Sequence, residues 1–176
     1  EGYTIVLIGH EGHEEVEGTM GEAPANTVLV QTEAEVETLK VADPDRTAYI
    51  TQTTLSVDET TAIIGARKKK FPRSTGPRTN AICYATTNRQ NAVKAITGEA
   101  DVILVVGAPE SSNSNRLVEV AHARGVPSHL VESAAEIEPD WLRGVRCVGL
   151  TAGASATEKL VSDVVERLMA LGGTKV

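Results

Sequence analysis

Residues 103–117 read Ile103-Leu-Val-Val-Gly-Ala-Pro-Glu-Ser-Ser-Asn-Ser-Asn-Arg-Leu117. The apolar run before Gly107 predicts a buried strand, and the amphipathic pattern that begins at Leu117 predicts a helix. Hydroxyl and amide side chains fill the turn between them. Backbone N–H groups at a helix N-terminus have no intrahelical partners and carry partial positive charge. The turn therefore predicts either a helix cap or a site for an anion such as phosphate.

The same strand–turn–helix pattern occurs twice along the chain, as the matching runs Ile5–Gly9 and Ile103–Gly107 indicate. Strands that alternate with helices predict an α/β fold with mainly parallel sheets. We therefore expect two similar three-layer α/β domains, pseudo-duplicated, over residues 1–84 and 85–176. Strands are predicted at 3–9, 27–30, 47–51, 102–107, 128–131 and 145–150, and helices at 33–39, 57–70, 87–96, 116–124 and up to residue 171.

Polar turns follow several of the predicted strands. Ligands of parallel sheets bind beyond the carboxyl ends of the strands. We therefore expect one cleft between the strand ends of the two domains, lined by residues 10–19, 51–56, 107–115 and 151–155. The sequence places no basic residue obviously beside these turns, so neutral donors and helix dipoles would hold the anion.

Local signals predict further details. The apolar run Ala81–Ala85 predicts one more short strand, and Cys147 is expected in the core, in the middle of a strand. Helix caps are expected at Thr32, Ser56, Ser133 and Ser155, of which Ser56 and Ser155 each precede a Glu by three residues, as in a capping box.

Composition excludes several classes of partner. The net charge of -7 argues against nucleic acid as the main partner. No apolar stretch has the length needed to span a bilayer. Because no secretory signal is visible and two cysteines do not suggest a disulfide framework, we expect a cytoplasmic protein. With 41% apolar but only 3% aromatic residues, the core must be mainly aliphatic, as in parallel sheets buried on both faces.

Two places in the first half carry residues suited to chemistry. His13 and Glu15 could relay a proton, or bind a metal together with His10, or simply belong to a surface loop that starts a helix. Cys83 could ligate iron or act as a nucleophile, or it could be a small buried apolar residue.

A third group consists of hydroxyl and amide residues at turns that precede helices. Each could be a cap alone, but together they predict an anion pocket, formed by Thr53, Thr54, Ser111, Ser112, Asn113 and Ser155.

Five stretches, in matching order and spread over the whole chain, resemble the 4-hydroxy-3-methylbut-2-enyl diphosphate reductase (IspH/LytB) family. They are Gly9–Met20, Thr51–Asp58, Ile82–Gln90, Ser111–Leu117 and Thr151–Ser155. The resemblance implies the last step of the non-mevalonate isoprenoid pathway, which reductively removes a hydroxyl from an allylic diphosphate to give isopentenyl and dimethylallyl diphosphates. It also implies a 4Fe-4S cluster and a ferredoxin- or flavodoxin-like electron donor.

The resemblance assigns roles to individual residues. It implies that Cys83 ligates the cluster and that Glu15 delivers protons. It also implies a set of substrate-binding residues: His13 in the pocket, Thr53 near the substrate hydroxyl, and Ser111, Ser112, Asn113 and Ser155 at the diphosphate. Thr54 is expected to bind the substrate because of its place in the predicted anion pocket.

The chain also departs from the family pattern. Glu14 stands where the family has Pro, and the further cysteines and histidines of the family's first domain are not present. Because one Cys cannot hold a cubane cluster, we expect a fragment without the N-terminal domain and the C-terminal tail, with no cluster and no activity of its own. An uncovered apolar face would favour a homodimer. A non-catalytic module that binds a phosphorylated metabolite is the alternative, and it would not need Glu15 or Cys83.

Overall fold

The computed structural model of the chain describes residues 2–77 and 82–175. The chain divides into two compact units, Glu1–Cys83 and Tyr84–Val176, and the boundary expected from the sequence differs from this division by one residue. Within the described ranges, no helix is both long and apolar enough to cross a bilayer.

The first unit is built on a three-stranded parallel sheet in the order β2-β1-β3. The core on one face of this sheet joins Val6 and Ile8 of the central strand to apolar residues of the helices. Ile8 pairs with both Val30 and Thr51, so the carboxyl ends of all three strands meet at one edge. The elements are β1 (Thr4–Ile8), α1 (Glu14–Glu22), β2 (Thr27–Val30), α2 (Glu33–Thr38), β3 (Thr47–Thr51) and α3 (Val57–Lys70).

The second unit contains a parallel sheet in the order β5-β4-β6, and every residue of its central strand is buried. Ile103 and Val105 pack with α4 and α5, whereas Leu104 and Val106 pack on the other face with α6, so this unit has three layers. The elements are α4 (Tyr84–Ile96), β4 (Val102–Val106), α5 (Ser112–Ala123), β5 (Ser128–Val131), two 3-10 helices (Ala134–Glu136 and Pro139–Leu142), β6 (Val148–Ala152) and α6 (Glu158–Ala170).

The predicted α/β fold with parallel sheets is confirmed, and the two units share one strand order in which the first strand lies in the middle. They also share a local contact. The Gln31 N–H donates to the carboxylate of Glu35 at 2.7 Å, and the Glu132 N–H donates to that of Glu136 at 3.0 Å. A glutamate at the equivalent position therefore accepts a backbone hydrogen bond in the turn after the second strand of each unit.

The prediction of a strand over Ala81–Ala85 is wrong for its described residues. Ala81 lies outside them, Ile82 and Cys83 are in no strand, and α4 begins at Tyr84 rather than at residue 87. A short apolar run does not distinguish a strand from a helix turn. The open edge of β3 is occupied instead by Thr75, which exchanges backbone hydrogen bonds of 3.0 Å with Thr47 and Tyr49.

The helix predicted from Arg116 begins four residues earlier, at Ser112. The Ser111 hydroxyl accepts a hydrogen bond from the Ser114 N–H and caps this helix. Asn113 and Ser114 therefore lie in the first turn of α5 and are buried, rather than standing in a loop.

The last predicted strand is displaced, and the prediction of a core position for Cys147 is wrong. β6 covers Val148–Ala152, and Cys147 precedes it with an exposed thiol. Asp101 sets this register, because its Oδ2 accepts the N–H groups of Arg146 and Cys147 at 2.9 and 3.0 Å. The same two bonds hold the pKa of Asp101 below its ordinary value.

Two predicted caps also differ from the structure. Thr157, rather than Ser155, caps α6 by accepting the N–H of Leu160 at 3.4 Å. Ser133 precedes a 3-10 helix and makes no side-chain bond to the backbone there. The caps at Thr32 and Ser56 are confirmed.

Candidate functional site

In the first unit, Glu15 and Thr53 meet at the carboxyl edge of the sheet. Glu15 lies in the first turn of α1, and Thr53 follows β3. The Thr53 N–H donates to Glu15 Oε1 at 2.9 Å, and the Thr53 hydroxyl donates to Oε2 at 3.1 Å. Both carboxylate oxygens are therefore oriented by one residue, and Glu15 remains half-buried, where it can exchange a proton with a bound molecule.

His13 starts the helix that carries Glu15. Its Nδ1 accepts the Glu15 N–H at 3.1 Å, so the ring is the N-cap of α1. An accepting Nδ1 assigns the proton of the neutral ring to Nε2. This contact joins the His13 ring to the backbone N–H of Glu15, and a proton relay between the ring and the Glu15 carboxylate stays a prediction.

Gln52 is a residue that sequence reasoning missed. It is 2% exposed, and its Oε1 accepts the His10 N–H at 3.1 Å while its Nε2 donates to the Thr54 hydroxyl at 3.2 Å. Its amide therefore joins the loop after β1 to the turn after β3. A polar residue directly after a buried strand was the available signal, but its partners are distant in sequence.

Cys83 approaches the same turn through its backbone. Its N–H donates to the Thr53 carbonyl at 3.2 Å, and its thiol is exposed. The expectation of a small buried apolar residue is therefore wrong. The Thr53 N–H donates to Glu15 and the Thr53 carbonyl accepts from Cys83. The acid and the segment that bears the thiol therefore have the same hydrogen-bond partner.

The described residues do not by themselves fit an iron–sulfur cluster or a metal ion. They contain no group of three His, Cys, Asp or Glu side chains that could hold a metal. Cys83 could supply one thiolate, whereas a cubane cluster takes four ligands, usually all Cys. His10, His13 and Glu15 likewise form no such group.

In the second unit, polar side chains gather at the start of α5, beyond the end of β4. The Ser111 hydroxyl accepts hydrogen bonds from the Ser114 N–H at 3.3 Å and from the Ser114 hydroxyl at 2.9 Å. Asn115 Nδ2 donates to the carbonyls of Pro109 and Ser111 at 2.6 and 3.2 Å and fixes the preceding loop. Ser111 and Ser112 remain half-buried at the N-terminus of the helix.

Asn113 is the exceptional residue of this turn. It is 7% exposed, and neither its Nδ2 nor its Oδ1 has a hydrogen-bond partner in the part of the chain that the structure describes. A buried amide without partners costs about 1–3 kcal/mol, so its retention calls for a functional explanation. A ligand with acceptor or donor groups at the start of α5 is one such explanation.

Two glycines make room for this turn. A Cβ atom built on Gly107 would lie 2.2 Å from Ser114 Oγ, and one built on Gly153 would lie 2.0 Å from the same atom. The turn after β4 and the turn after β6 therefore both pack on Ser114. Ser155, two residues beyond Gly153, is exposed and belongs to the second of these turns.

Arg89 corrects the expectation that no basic residue lies beside these turns. Its Nε donates to the carbonyl of Ala152, the last residue of β6, at 3.1 Å. The half-buried guanidinium of α4 is therefore next to the turn that contains Ser155. Sequence reasoning missed it because this contact joins residues 63 positions apart.

The family model described as LytB protein matches residues 1–169. The chain is 57% identical over 176 residues to the 4-hydroxy-3-methylbut-2-enyl diphosphate reductase of Azoarcus sp. (strain BH72), with all of the chain and 56% of that protein covered. It is 54% identical to the reductase of the same name from Marinobacter nauticus, with 98% and 56% covered. The chain thus spans just over half the length of these relatives.

A solved structure is also similar. The E-1-hydroxy-2-methyl-but-2-enyl-4-diphosphate reductase from Plasmodium falciparum matches with a TM-score of 0.89 at 38% sequence identity. The match covers 95% of this chain and 52% of that one.

Proposed function

The chain belongs to the LytB protein family, and we propose that the protein it represents is a 4-hydroxy-3-methylbut-2-enyl diphosphate reductase. In this reaction the allylic C–O bond breaks, two electrons and two protons are taken up, and water leaves with formation of isopentenyl or dimethylallyl diphosphate. The relatives that carry this name are nearly twice as long as the chain, so the activity is proposed for the whole protein.

The observation that carries the proposal is the unpartnered amide of Asn113. A buried amide with two unused polar atoms, in the first turn of a twelve-residue helix, suits an anionic group that also accepts from backbone N–H groups. We assign the diphosphate of the substrate to this turn, with Ser111, Ser112 and Asn113 as donors. Ser155 completes this set on the neighbouring turn.

Glu15 is proposed as the residue that delivers protons to the substrate. Its carboxylate is oriented by Thr53 at 2.9 and 3.1 Å, and His13 fixes the start of its helix. An acid held in one orientation at the edge of a sheet is suited to general acid catalysis. His13, Thr53 and Thr54 are proposed to contact the rest of the substrate.

The electrons require a redox group, for which a 4Fe-4S cluster is proposed in the whole protein. Cys83 would supply one ligand, and the described residues hold no group of three candidate ligands that could complete the set. A ferredoxin- or flavodoxin-like protein is proposed as the donor. Among the described residues the two cysteines form no disulfide and both are exposed, which suits a reducing cytoplasm. The 176-residue chain alone is proposed to be inactive and to associate as a homodimer.

The test uses the whole reading frame, expressed anaerobically and supplied with iron and sulfide. Turnover of 4-hydroxy-3-methylbut-2-enyl diphosphate is measured with reduced methyl viologen as a one-electron donor. We expect turnover by the wild-type protein, and severe loss in Glu15→Gln and Cys83→Ser. Cys147→Ser, an exposed cysteine in the other unit, is the matched control and should retain the rate.

The outcomes separate the proposal from its alternative. A correctly folded wild-type protein with no turnover contradicts the reductase. A non-catalytic binding module predicts that Glu15→Gln and Cys83→Ser bind diphosphate like the wild-type protein and that neither side chain matters for any reaction.

A further inference from the structure

Ser114 contacts no solvent and lies between two strand ends in the second unit. We infer that Ser114 is a positioning residue, which directs the hydroxyl proton of Ser111 away from the protein core and toward the diphosphate. The inference rests on the proposed function, because it concerns the same anion site. It adds Ser114 to the residues proposed for that site.

The first step is the hydrogen-bonding capacity of the Ser111 hydroxyl. A serine hydroxyl has one proton to donate and two lone pairs that accept. The Ser111 oxygen lies 3.3 Å from the Ser114 nitrogen and 2.9 Å from the Ser114 hydroxyl oxygen. If both of these groups donate to it, its two lone pairs are used and its own proton must point elsewhere.

The second step is that burial sets the direction of the bond between the two hydroxyls. Ser114 is 0% exposed, whereas Ser111 is half-buried. If Ser111 donated to Ser114, the Ser114 proton would be left inside the protein without an acceptor, which is costly. When Ser114 donates, its N–H and its O–H both have an acceptor. The Ser111 proton then points to where an anion can accept it.

The third step is that packing holds the Ser114 hydroxyl in place. Added Cβ atoms at Gly107 and Gly153 would lie only 2.2 and 2.0 Å from Ser114 Oγ, so the backbone closes around this atom from two sides. Little space remains for another rotamer. The donor is therefore fixed before a ligand arrives, which saves the cost of ordering it on binding.

Asn113 independently indicates that a ligand belongs at this helix start. Its buried amide has no partner among the described residues, and it precedes Ser114 directly. In the Ser114–Ser111 pair, by contrast, both donors of Ser114 have an acceptor, and the Ser111 proton is left for a ligand. Asn113 thus lacks a hydrogen-bond partner among the described residues, and Ser114 positions the Ser111 donor for the same ligand.

The test is a double-mutant cycle with inorganic pyrophosphate as the probe, measured by calorimetry on the 176-residue chain. Ser111→Ala should weaken binding about tenfold, since a hydrogen bond to a charged acceptor is lost. Ser114→Ala should weaken it about threefold to fivefold, because the Ser111 proton is no longer confined to one direction. In the Ser111→Ala background, Ser114→Ala should cause no further loss.

Ser162→Ala is the matched control, because Ser162 is exposed on α6 of the same unit. It should bind pyrophosphate like the wild-type chain, and circular dichroism confirms that each variant is folded. An equal effect of Ser114→Ala in both backgrounds indicates a general structural role and overturns the inference.

A second readout does not depend on binding. Neutron diffraction from crystals exchanged into D2O locates the hydroxyl deuterons. A Ser114 deuteron on the line to Ser111 supports the inference, and a Ser111 deuteron on that line overturns it. A wild-type chain that gives no heat with pyrophosphate contradicts the diphosphate site, and the deuteron positions then decide the inference separately.

Discussion

Both oxygens of the Glu15 carboxylate are bonded to Thr53, 38 positions away in the sequence: Oε1 to the backbone N–H at 2.9 Å and Oε2 to the hydroxyl at 3.1 Å. The contact joins the first turn of α1 to the turn after β3. One residue thus supplies two donors to a candidate acid.

The hydroxyl part of this contact can be removed without touching the backbone part. Thr53→Val keeps the shape of the side chain and should lower the free energy of unfolding by about 1 kcal/mol, less than is typical for a charged acceptor because Thr53 is exposed. Urea unfolding followed by circular dichroism measures the change. Thr53→Ser retains the donor and is the control; equal unfolding midpoints for the Val and Ser variants would contradict the prediction.

We expect the Asn113 amide to lower the free energy of unfolding and to strengthen pyrophosphate binding. Asn113→Leu replaces a buried, unpartnered amide with an apolar side chain of similar size and should raise the free energy of unfolding by about 1 kcal/mol. The same variant should lose pyrophosphate binding in calorimetry. Asn88→Leu, at an exposed position of α4, should change neither quantity. A destabilised Asn113→Leu chain would show that the amide is structurally satisfied after all.

The two glycines around Ser114 should respond differently to a second mutation. Gly153→Ala should destabilise the chain by about 1–3 kcal/mol through overpacking, because the new methyl would lie 2.0 Å from Ser114 Oγ. Adding Ser114→Ala should largely rescue it, since the remaining Cβ of residue 114 is 3.3 Å away. Thermal unfolding of the single and double variants measures the rescue.

Gly107→Ala is the control for this rescue. Its added methyl would lie 2.7 Å from Ser114 Cβ as well as 2.2 Å from Oγ, so Ser114→Ala should leave most of the clash. Equal rescue at both glycines would mean that the backbone, rather than Ser114, gives way.

His129 and Trp141 provide a pH-dependent signal. Their rings stack at 3.9 Å between centroids, and Trp141 is the only tryptophan of the chain. Burial, assisted by nearby His122, lowers the pKa of His129, while Glu138 opposes the shift. Because a protonated imidazole quenches indole, Trp141 fluorescence should fall at a pH below 6.5, the ordinary pKa of histidine.

The sign of the accompanying stability change follows from the direction of this shift. The unfolded chain binds a proton at His129 more readily than the folded chain, so the contribution of His129 is complete above pH 6.5 and declines as the pH falls toward the lowered pKa. His129→Gln should remove both the fluorescence step and this part of the pH dependence. A fluorescence midpoint above 6.5 would contradict the prediction.

The sequence predicted three strands with the observed bounds, at 27–30, 47–51 and 128–131. In each of them the first and last residues are buried, so both ends of the strand are anchored in the core. The bounds failed where one side-chain hydrogen bond sets the end of an element. Ser111 starts α5 four residues early, and Asp101 shifts β6 and leaves Cys147 exposed.

The candidate site shows the same division. Chemical type and position after a strand were enough to select Glu15, Thr53 and Asn113. Gln52, Ser114 and Arg89 were missed, because their roles depend on partners that only the folded chain brings near. Hydrophobic periodicity contains no information about which buried hydroxyl donates to which neighbour.

Thr53 holds Glu15 and Cys83 largely through its main chain, with its amide on one and its carbonyl on the other. A scan of side-chain substitutions would leave both of these bonds intact and would underrate residue 53. An ester in place of the peptide linkage before Thr53 removes the Thr53 N–H and breaks the bond to Glu15, and an ester before Cys83 removes the Cys83 N–H and breaks the bond to the Thr53 carbonyl. Such ester variants would show whether a displacement of the Cys83 thiol also moves the Glu15 carboxylate.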